Sequence, residues 1–297
     1  MGAPYSKPAL TFEQQVALLE ERGLKIPDGR AALATLRQVN YYRLSAYWYP
    51  LRESGADTFV RGASLDTVLR LYEYDRRLRI LMLDGIERAE ILARTHVAYE
   101  LAHSCSPFAH AEAGTFDGRF NHEQWYEALV EELERSTETF VNHFRTKYDG
   151  FPRIPIWMAC EVMSFGTLSR MFKGMQREHQ ARVAKAFDVH WRVAQSWLHS
   201  LVYVRNVCAH HARLWNRNLA IKPQIPSGRP EWAPISNDRV YAILCILRHL
   251  TKSCRGGEDW LVAARELLRE KDGTDRQWER AAMGVPTGWE THPFWRS

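Results

Sequence analysis

The sequence predicts an all-α protein whose helices pack as a bundle. Apolar residues recur every three or four positions along most of the 297 residues, as they do on amphipathic helices. Helix start and stop signals separate these stretches, and only the short segment 57–61 has the character of an extended strand. Because so few strands cannot form a sheet, the helices have to bury their apolar faces against one another.

The first elements are marked by capping residues. Thr11 followed by Gln14 forms a capping box for the first helix, and Gly23 is expected to end it. A second helix is predicted over about 30–39 and leads into an aromatic cluster. The cluster comprises Tyr41, Tyr42, Tyr47, Trp48 and Tyr49.

A long helix follows, capped by Ser64 and extending to about His103, with a bend expected at Gly85. After a loop at 107–118, further helices are predicted over about 122–148, 156–163, 166–174, 177–187 and 190–210. A proline-rich stretch precedes a helix that opens at Asn237, and a last one covers about 258–270. The tail from Asp272 contains tryptophans among Pro and Gly, and the sequence leaves open whether it wraps the surface or meets a partner.

Composition and charge favour a polyanionic partner. The formal net charge is +5 and the pI is about 9.0, and 32 of the 40 cationic residues are arginine. Arginine binds phosphate with two parallel hydrogen bonds, which suits nucleic acid, although a GC-rich genome would also enrich arginine. Hydrophobic residues make up 45% of the chain, which is enough for a substantial core and argues against global disorder.

The cysteine pattern favours a cytoplasmic protein without a metal site. The five cysteines are scattered, odd in number and include no C-x-x-C pair, so we expect reduced thiols and no zinc. The first ten residues lack the order of a signal peptide, and no apolar run approaches the roughly 20 residues that a bilayer requires. We therefore expect no membrane partner.

The run at 205–217 is the most informative stretch. It holds three arginines, two histidines and two asparagines and no acid, and the 42 residues from Val189 through Pro230 contain no Asp or Glu. On a continuous helix, spacings of i, i+4, i+7 and i+11 would align four side chains in one stripe. These are Asn206, His210, Arg213 and Arg217, and the side chain of Arg205 is long enough to reach them.

These residue types suit RNA cleavage without a metal or a cofactor. A histidine can take the proton of the RNA 2′-OH, and an arginine can stabilise the charge that develops on the attacked phosphate. A second acid must protonate the leaving oxygen, so two copies of the motif in a dimer would complete the site. Interleaved aromatic residues would either stack on unpaired bases or belong to the core. They are Trp191, Trp197, Tyr203 and Trp215.

The run RNVCAHHARLWNR carries Arg-x4-His and resembles the signature of HEPN-domain ribonucleases. The wider chain resembles the Abi-like family of abortive-infection proteins, of the AbiD/AbiF type. Four further stretches carry this resemblance: KPALTFEQQVALLEERGL near the start, VNYYRLSAYWYPL, YEYDRRLRILMLDGIERAE and PIWMACEVMSFGTLSRMF.

The resemblance implies a HEPN-type helical bundle with additional helices. Residues 1–235 would form the helical domain that carries the motif at 205–210, and residues 236–297 would be C-terminal helices and the tail, packed on the same domain. It also implies a phage-defence toxin that cleaves RNA in the cytoplasm as a homodimer through the motif. A small structured noncoding RNA, as found with some relatives, would restrain or direct it in the manner of a toxin–antitoxin pair.

Roles follow from the resemblance residue by residue. Arg205 and His210 become the catalytic pair, and Asn206 their polar helper. Further RNA contacts are predicted at His211, Arg213, Asn216 and Arg217, and in the acid-free window at Arg192 and Lys222. The chain departs from the pattern at Ala212, where many HEPN toxins have a tyrosine. Two alternatives remain: a noncatalytic module that holds a cognate noncoding RNA, and a protein-interaction sensor of infection.

Overall fold

The computed structural model describes Pro4, Ser6 and residues 8–270 and 277–296, and these residues confirm the all-α prediction. They form thirteen α-helices and five short 3-10 turns, with three isolated β-bridges and no sheet. Two compact units are present, Met1–Arg77 and Leu78–Ser297. The helices are α1 (Phe12–Glu21), α2 (Gly29–Gln38), α3 (Tyr41–Trp48), α4 (Leu65–Ser104), α5 (His122–Arg135), α6 (Thr139–Lys147), α7 (Ile156–Val162), α8 (Phe165–Gly174), α9 (Arg177–Ala186), α10 (Trp191–Ala209), α11 (Val240–Thr251), α12 (Gly257–Arg269) and α13 (Gln277–Ala282).

The caps predicted in the first unit are present. The Thr11 hydroxyl accepts a hydrogen bond from the Gln14 amide at 3.2 Å, and the Gln14 side chain accepts one from the Thr11 amide at 2.9 Å. Gly23 follows α1 with φ +88°, a conformation that favours glycine. The aromatic cluster divides: Tyr47 and Trp48 are buried in the core, whereas the other three are half-buried or exposed.

Helix α4 begins where predicted and continues unbroken through Gly85. The Ser64 hydroxyl accepts from the amide of Thr67 at 3.2 Å and caps the first turn. Gly85 provides room for the indole of Trp260 in α12, whose Nε1 donates to the carbonyl of Leu81 at 2.9 Å. A side chain at this position would collide with that ring, so the absence of a side chain has a packing role.

The core of the second unit is built around α11. Every residue of α11 except Arg248 is buried, and α12 packs beside it. His249 Nε2 donates to the carbonyl of Phe187 at 2.9 Å, and its ring packs edge-on against Trp197 and Trp232. Burial in this apolar setting lowers the pKa of His249, because it disfavours the charged imidazolium.

The described part of the tail packs on the second unit. Trp289 and Trp295 are buried, and Trp295 Nε1 donates to the hydroxyl of Tyr241 at 2.8 Å. Trp278 is half exposed and contacts Trp215 edge-on. In the described ranges, no helix is both long enough and apolar enough to cross a bilayer.

Three predicted elements differ from the structure. The helix predicted over 122–148 is interrupted at 136–138 and forms α5 and α6, and the one expected from Asn237 begins at Val240. The extended segment at 57–61 contributes one bridge, between Arg52 and Phe59, and no strand. The helix predicted over about 190–210 is confirmed as α10, Trp191–Ala209, and its end decides which motif residues belong to the helix.

Candidate functional site

Helix α10 positions the motif, and its apolar side fixes its orientation. Its buried residues recur every three or four positions and face the core, where α8 and α9 pack against the helix. They are Val193, Ala194, Trp197, Leu198, Ser200, Leu201, Val204, Val207 and Cys208. The residues between them face outward, and these include Arg205, Asn206 and His210.

The helix ends in a Schellman motif immediately after Ala209. The amide of Ala212 donates to the carbonyl of Val207, and that of His211 to the carbonyl of Cys208, both at 3.0 Å. His211 occupies the left-handed position with φ 54°, where glycine is usual and another residue costs about 1–2 kcal/mol. The predicted stripe is therefore wrong beyond His210, because Arg213 and Arg217 lie outside the helix.

Arg205, Asn206 and His210 form an exposed group at this end of α10. Asn206 and His210 are four residues apart and share a face of the helix. Arg205 Nη1 donates to Asn206 Oδ1 at 3.1 Å, which turns the guanidinium toward that face. Among the residues that the structure describes, neither Arg205 nor His210 pairs with a carboxylate, so a phosphate can approach both.

The following segment, 213–217, is held by backbone and core contacts. Trp215 is fully buried and its Nε1 donates to the carbonyl of Glu279 at 3.0 Å, so this indole belongs to the core and does not stack on bases. Asn216 has φ 53° and accepts from Arg239 Nη1 at 3.1 Å. Arg217 Nε donates to the Arg213 carbonyl at 2.7 Å, and both arginines are half-buried.

Sequence reasoning missed the residues that hold this segment. Arg239 precedes α11 and the carbonyl of Glu279 comes from α13, so both are far from the motif in sequence. No local spacing could have identified them, because the contacts depend on how α11 and α13 pack. Predicted RNA contacts at His211, Arg213, Asn216 and Arg217 stay predictions; of these four residues, only His211 is exposed.

The remaining predicted contacts lie elsewhere. Arg192 is exposed near the start of α10, about 20 Å along the helix axis from Arg205 at 1.5 Å per residue. Lys222 is exposed in the loop after the motif. Trp197 is buried and donates to the Gln224 carbonyl at 2.9 Å, whereas Trp191 and Tyr203 are half-buried and partly accessible.

An acid just before the acid-free window neutralises one of its arginines. Asp188 accepts two hydrogen bonds from Arg229, at 2.9 and 3.0 Å, and these bonds lower the Asp188 pKa to about 2. Arg229 is thus not free for an anion. In residues 8–270 and 277–296, Arg192, Arg205, Arg217 and Lys222 form no ion pair, and because Arg217 is half-buried the exposed uncompensated charge of the window resides at the other three. The same residues include no group of three or more His, Cys, Asp or Glu side chains placed to hold a metal ion.

Comparison with known proteins assigns a family. No curated protein and no solved structure matches the chain. Residues 34–216 match the family described as Abi-like protein, a match that covers more than half of the chain and ends within the motif region. The family is associated with abortive infection, a defence against phage. The match extends from within α2 to the segment after α10. The chain therefore belongs to the Abi-like protein family.

Proposed function

We propose that this protein is an RNA endonuclease that acts without a metal as a toxin in abortive infection. The observation that carries the proposal is the exposed group of Arg205, Asn206 and His210 at the end of α10. The group offers a base and a guanidinium at one exposed helix end, where Asn206 shares a face with His210 and binds Arg205, and no carboxylate in the described residues neutralises either one. RNA supplies both a phosphate for the guanidinium and a 2′-OH for the base.

The reaction uses the nucleophile of the substrate. His210 accepts the proton of the 2′-OH, and the 2′-oxygen forms a bond to the adjacent phosphorus. Arg205 donates hydrogen bonds to the non-bridging oxygens as negative charge develops, while Asn206 holds the guanidinium in place. The P–O5′ bond breaks and an acid protonates the departing oxygen, which leaves a 2′,3′-cyclic phosphate and a 5′-OH.

The reaction needs a general acid for the departing 5′-oxygen, and this requirement is the reason for proposing a homodimer through the motif. His210 can be either base or acid in one turnover, and Arg-x4-His occurs at 205–210 without a second copy in the amino-terminal half. Two chains that meet at the ends of their α10 helices would supply two imidazoles and two guanidiniums around one phosphate. A small structured RNA bound at the same surface would then restrain or direct cleavage.

A noncatalytic RNA-binding module is the second candidate. The observation that favours it is that the chain carries Arg-x4-His once, at 205–210, so a single chain lacks the second copy that the proposed cleavage requires. Such a module would hold a cognate noncoding RNA on the same exposed residues without cutting it. A third candidate, a protein-interaction sensor, differs from both because it requires no RNA.

The test is cleavage of a single-stranded RNA in EDTA by protein freed of copurified nucleic acid. We expect 2′,3′-cyclic phosphate ends, and a rate loss of about 10²–10⁴ in His210→Ala with RNA affinity retained. Arg205→Lys should lose part of the rate, because an ammonium keeps the charge but lacks the planar fork. His143→Ala, at an exposed histidine of α6, is the matched control and should remain active.

Three results decide among the candidates. Cleavage that persists in His210→Ala contradicts the proposed chemistry. RNA binding without any cleavage by the intact dimer favours the noncatalytic module. Absence of both binding and cleavage, with no RNA copurifying, favours the sensor. Sequencing any RNA that copurifies identifies a restraining or guiding partner.

A further inference from the structure

The outward side of α10 forms a continuous polar face that ends at the motif. Its residues follow one another at intervals of three or four, are exposed or half-buried, and include no acid. They are Arg192, Gln195, His199, Tyr203, Asn206 and His210, which we call the α10 face. Arg192 and His210 are 18 residues apart, which is five turns, so they point in the same direction about 27 Å apart.

A basic cleft lies at the other end of this face. It has a volume of about 810 Å³ and is bordered by the first turns of α5, α9 and α10 and the last turns of α8. Its cationic residues are Arg119, Arg170, Lys173, Arg177 and Arg192. The cleft and the α10 face share Arg192 and Gln195.

Most of the positive charge of the basic cleft is uncompensated. Its one acid, Asp117, pairs with Arg119 through bonds of 2.9 and 3.0 Å. The other four cations are exposed and form no ion pair with any residue in the described part of the chain. The first turns of α5 and α10 add the positive ends of two helix dipoles. A polyanion would therefore gain from entering the cleft.

Aromatic and amide groups accompany the charge. Two guanidiniums lie within cation–π range of the half-buried ring of Trp191, with Arg192 Cζ 5.0 Å and Arg177 Cζ 6.0 Å from the ring centroid. Gln124 and Gln195 present side-chain amides to the same space. Proteins that bind single strands combine three features: cations that bind phosphate, a ring on which a base can stack, and amides that can bind base edges.

The wall of the cleft is preformed. The ring of Phe120 covers Gly174, where an added Cβ would lie 2.5 Å from a ring carbon. The amide of Asp117 donates to the Gly174 carbonyl at 2.8 Å, and Phe116 forms a bridge with Met175. These contacts fix the segment that carries Arg119 against the end of α8, so little ordering is required when a ligand binds.

We propose that the basic cleft binds the phosphate backbone of single-stranded RNA, which then follows the α10 face to the Arg205–His210 motif. The inference rests on the proposed function for the identity of the polyanion. It adds that affinity for RNA resides mainly about 27 Å from the bond that is cut, at the opposite end of one helix.

Binding is tested in the catalytically silent His210→Ala protein, with a 15-nucleotide unstructured RNA labelled with fluorescein and read by anisotropy across KCl concentrations. The cleft variant is Arg170→Glu with Lys173→Glu. The control variant is Lys147→Glu with Arg269→Glu, which changes the net charge equally at exposed positions outside the cleft.

We expect the cleft variant to lose at least tenfold in affinity and the control less than twofold. The slope of log K against log salt should fall by about 1.4, which is 0.7 for each of two lost phosphate contacts. Equal losses in the two variants, or no loss in the cleft variant, overturn the proposal. So does an intact protein that binds no RNA, as expected if the cleft accepts an acidic protein.

Cleavage by protein with His210 intact separates this inference from the proposed function. The cleft variant should lose at least tenfold in kcat/KM on the 15-nucleotide RNA but cut the dinucleotide UpA at the normal rate, because UpA is too short to span both sites. Normal cleavage of both RNAs refutes the cleft and leaves the nuclease. Binding that depends on the cleft without any cleavage refutes the nuclease and leaves the cleft.

Discussion

Gly85→Ala tests whether α4 requires close approach by Trp260. An added Cβ would lie 2.7 Å from Trp260 Nε1, 2.9 Å from Cε2 and 3.0 Å from Cδ1 of Leu247. Ordinary contacts of these atoms are about 3.5 Å or longer, so the indole has to retreat by about 0.8 Å. That movement lengthens the buried hydrogen bond from Trp260 to the carbonyl of Leu81, now 2.9 Å.

In Gly85→Ala, two effects lower the free energy of unfolding and one raises it. Overpacking costs about 1–3 kcal/mol, and weakening a buried hydrogen bond costs up to about 1–3 kcal/mol. Alanine in place of glycine inside a helix gains about 1 kcal/mol. The free energy of unfolding should therefore fall by about 2 kcal/mol, which corresponds to a Tm lower by about 4–8 °C for a unit of this size.

Urea unfolding followed by circular dichroism measures the effect, with Gly166→Ala as the control. Gly166 also lies in a helix, but its added Cβ would be 3.7 Å from the nearest atom, Ser164 Oγ, so helix propensity should dominate and leave stability unchanged or slightly higher. If Gly85→Ala unfolds at the same or a higher urea concentration with an unchanged m-value, the packing argument is refuted.

Two further predictions concern pH and the motif segment. His110 is fully buried, neither ring nitrogen has a hydrogen-bond partner in the described residues, and burial lowers its pKa to about 4. Because the unfolded chain takes up this proton near pH 6.5 and the folded chain only near pH 4, stability should fall by on the order of 3 kcal/mol as pH falls through that window. His110→Phe should abolish that part of the slope in urea unfolding at pH 7 and 4.5, and an unchanged slope contradicts it. Arg239→Ala removes the bond to Asn216, so amide exchange in 213–217 should accelerate at least tenfold while α4 remains protected; equal protection of 213–217 contradicts the bracing role.

Helix positions could be predicted well because their signals are local. A capping box at Thr11, a serine cap at Ser64 and a glycine after α1 each act within four residues, so the sequence contains the whole interaction. The end of α10 has no such signal. His211 takes the position that normally selects glycine, and the spacing of Asn206, His210 and Arg213 suggests a stripe that extends beyond the end predicted near residue 210.

The candidate site could be predicted only as a short run. Arg205 and His210 are five residues apart and both exposed at one end of α10, so placing them at the same helix end needed nothing beyond one helix. The basic cleft joins cations from four separate segments, and most of these cations have acids nearby in sequence, such as Asp117 beside Arg119 or Glu178 beside Arg177. Arg119 is neutralised by Asp117, but the other four cations stay uncompensated because no acid among the described residues is placed within ion-pair distance of them, which the sequence alone does not reveal.

The position at which α10 ends has a consequence for how two motifs could meet. Leu214 and Trp215 are fully buried directly after the helix, so the chain turns inward and leaves His210 as the last residue of the α10 face. A longer helix would have added Arg213 and Arg217 to that face and held a second copy away from His210. The exposed end of α10 is cationic, so two such ends repel each other at close range. Two like unit charges 4 Å apart repel with about 1 kcal/mol even in water. An RNA phosphate between them reverses the sign of that interaction. Assembly of the proposed dimer and binding of RNA at Arg205 are then thermodynamically linked, so each must strengthen the other by the same factor.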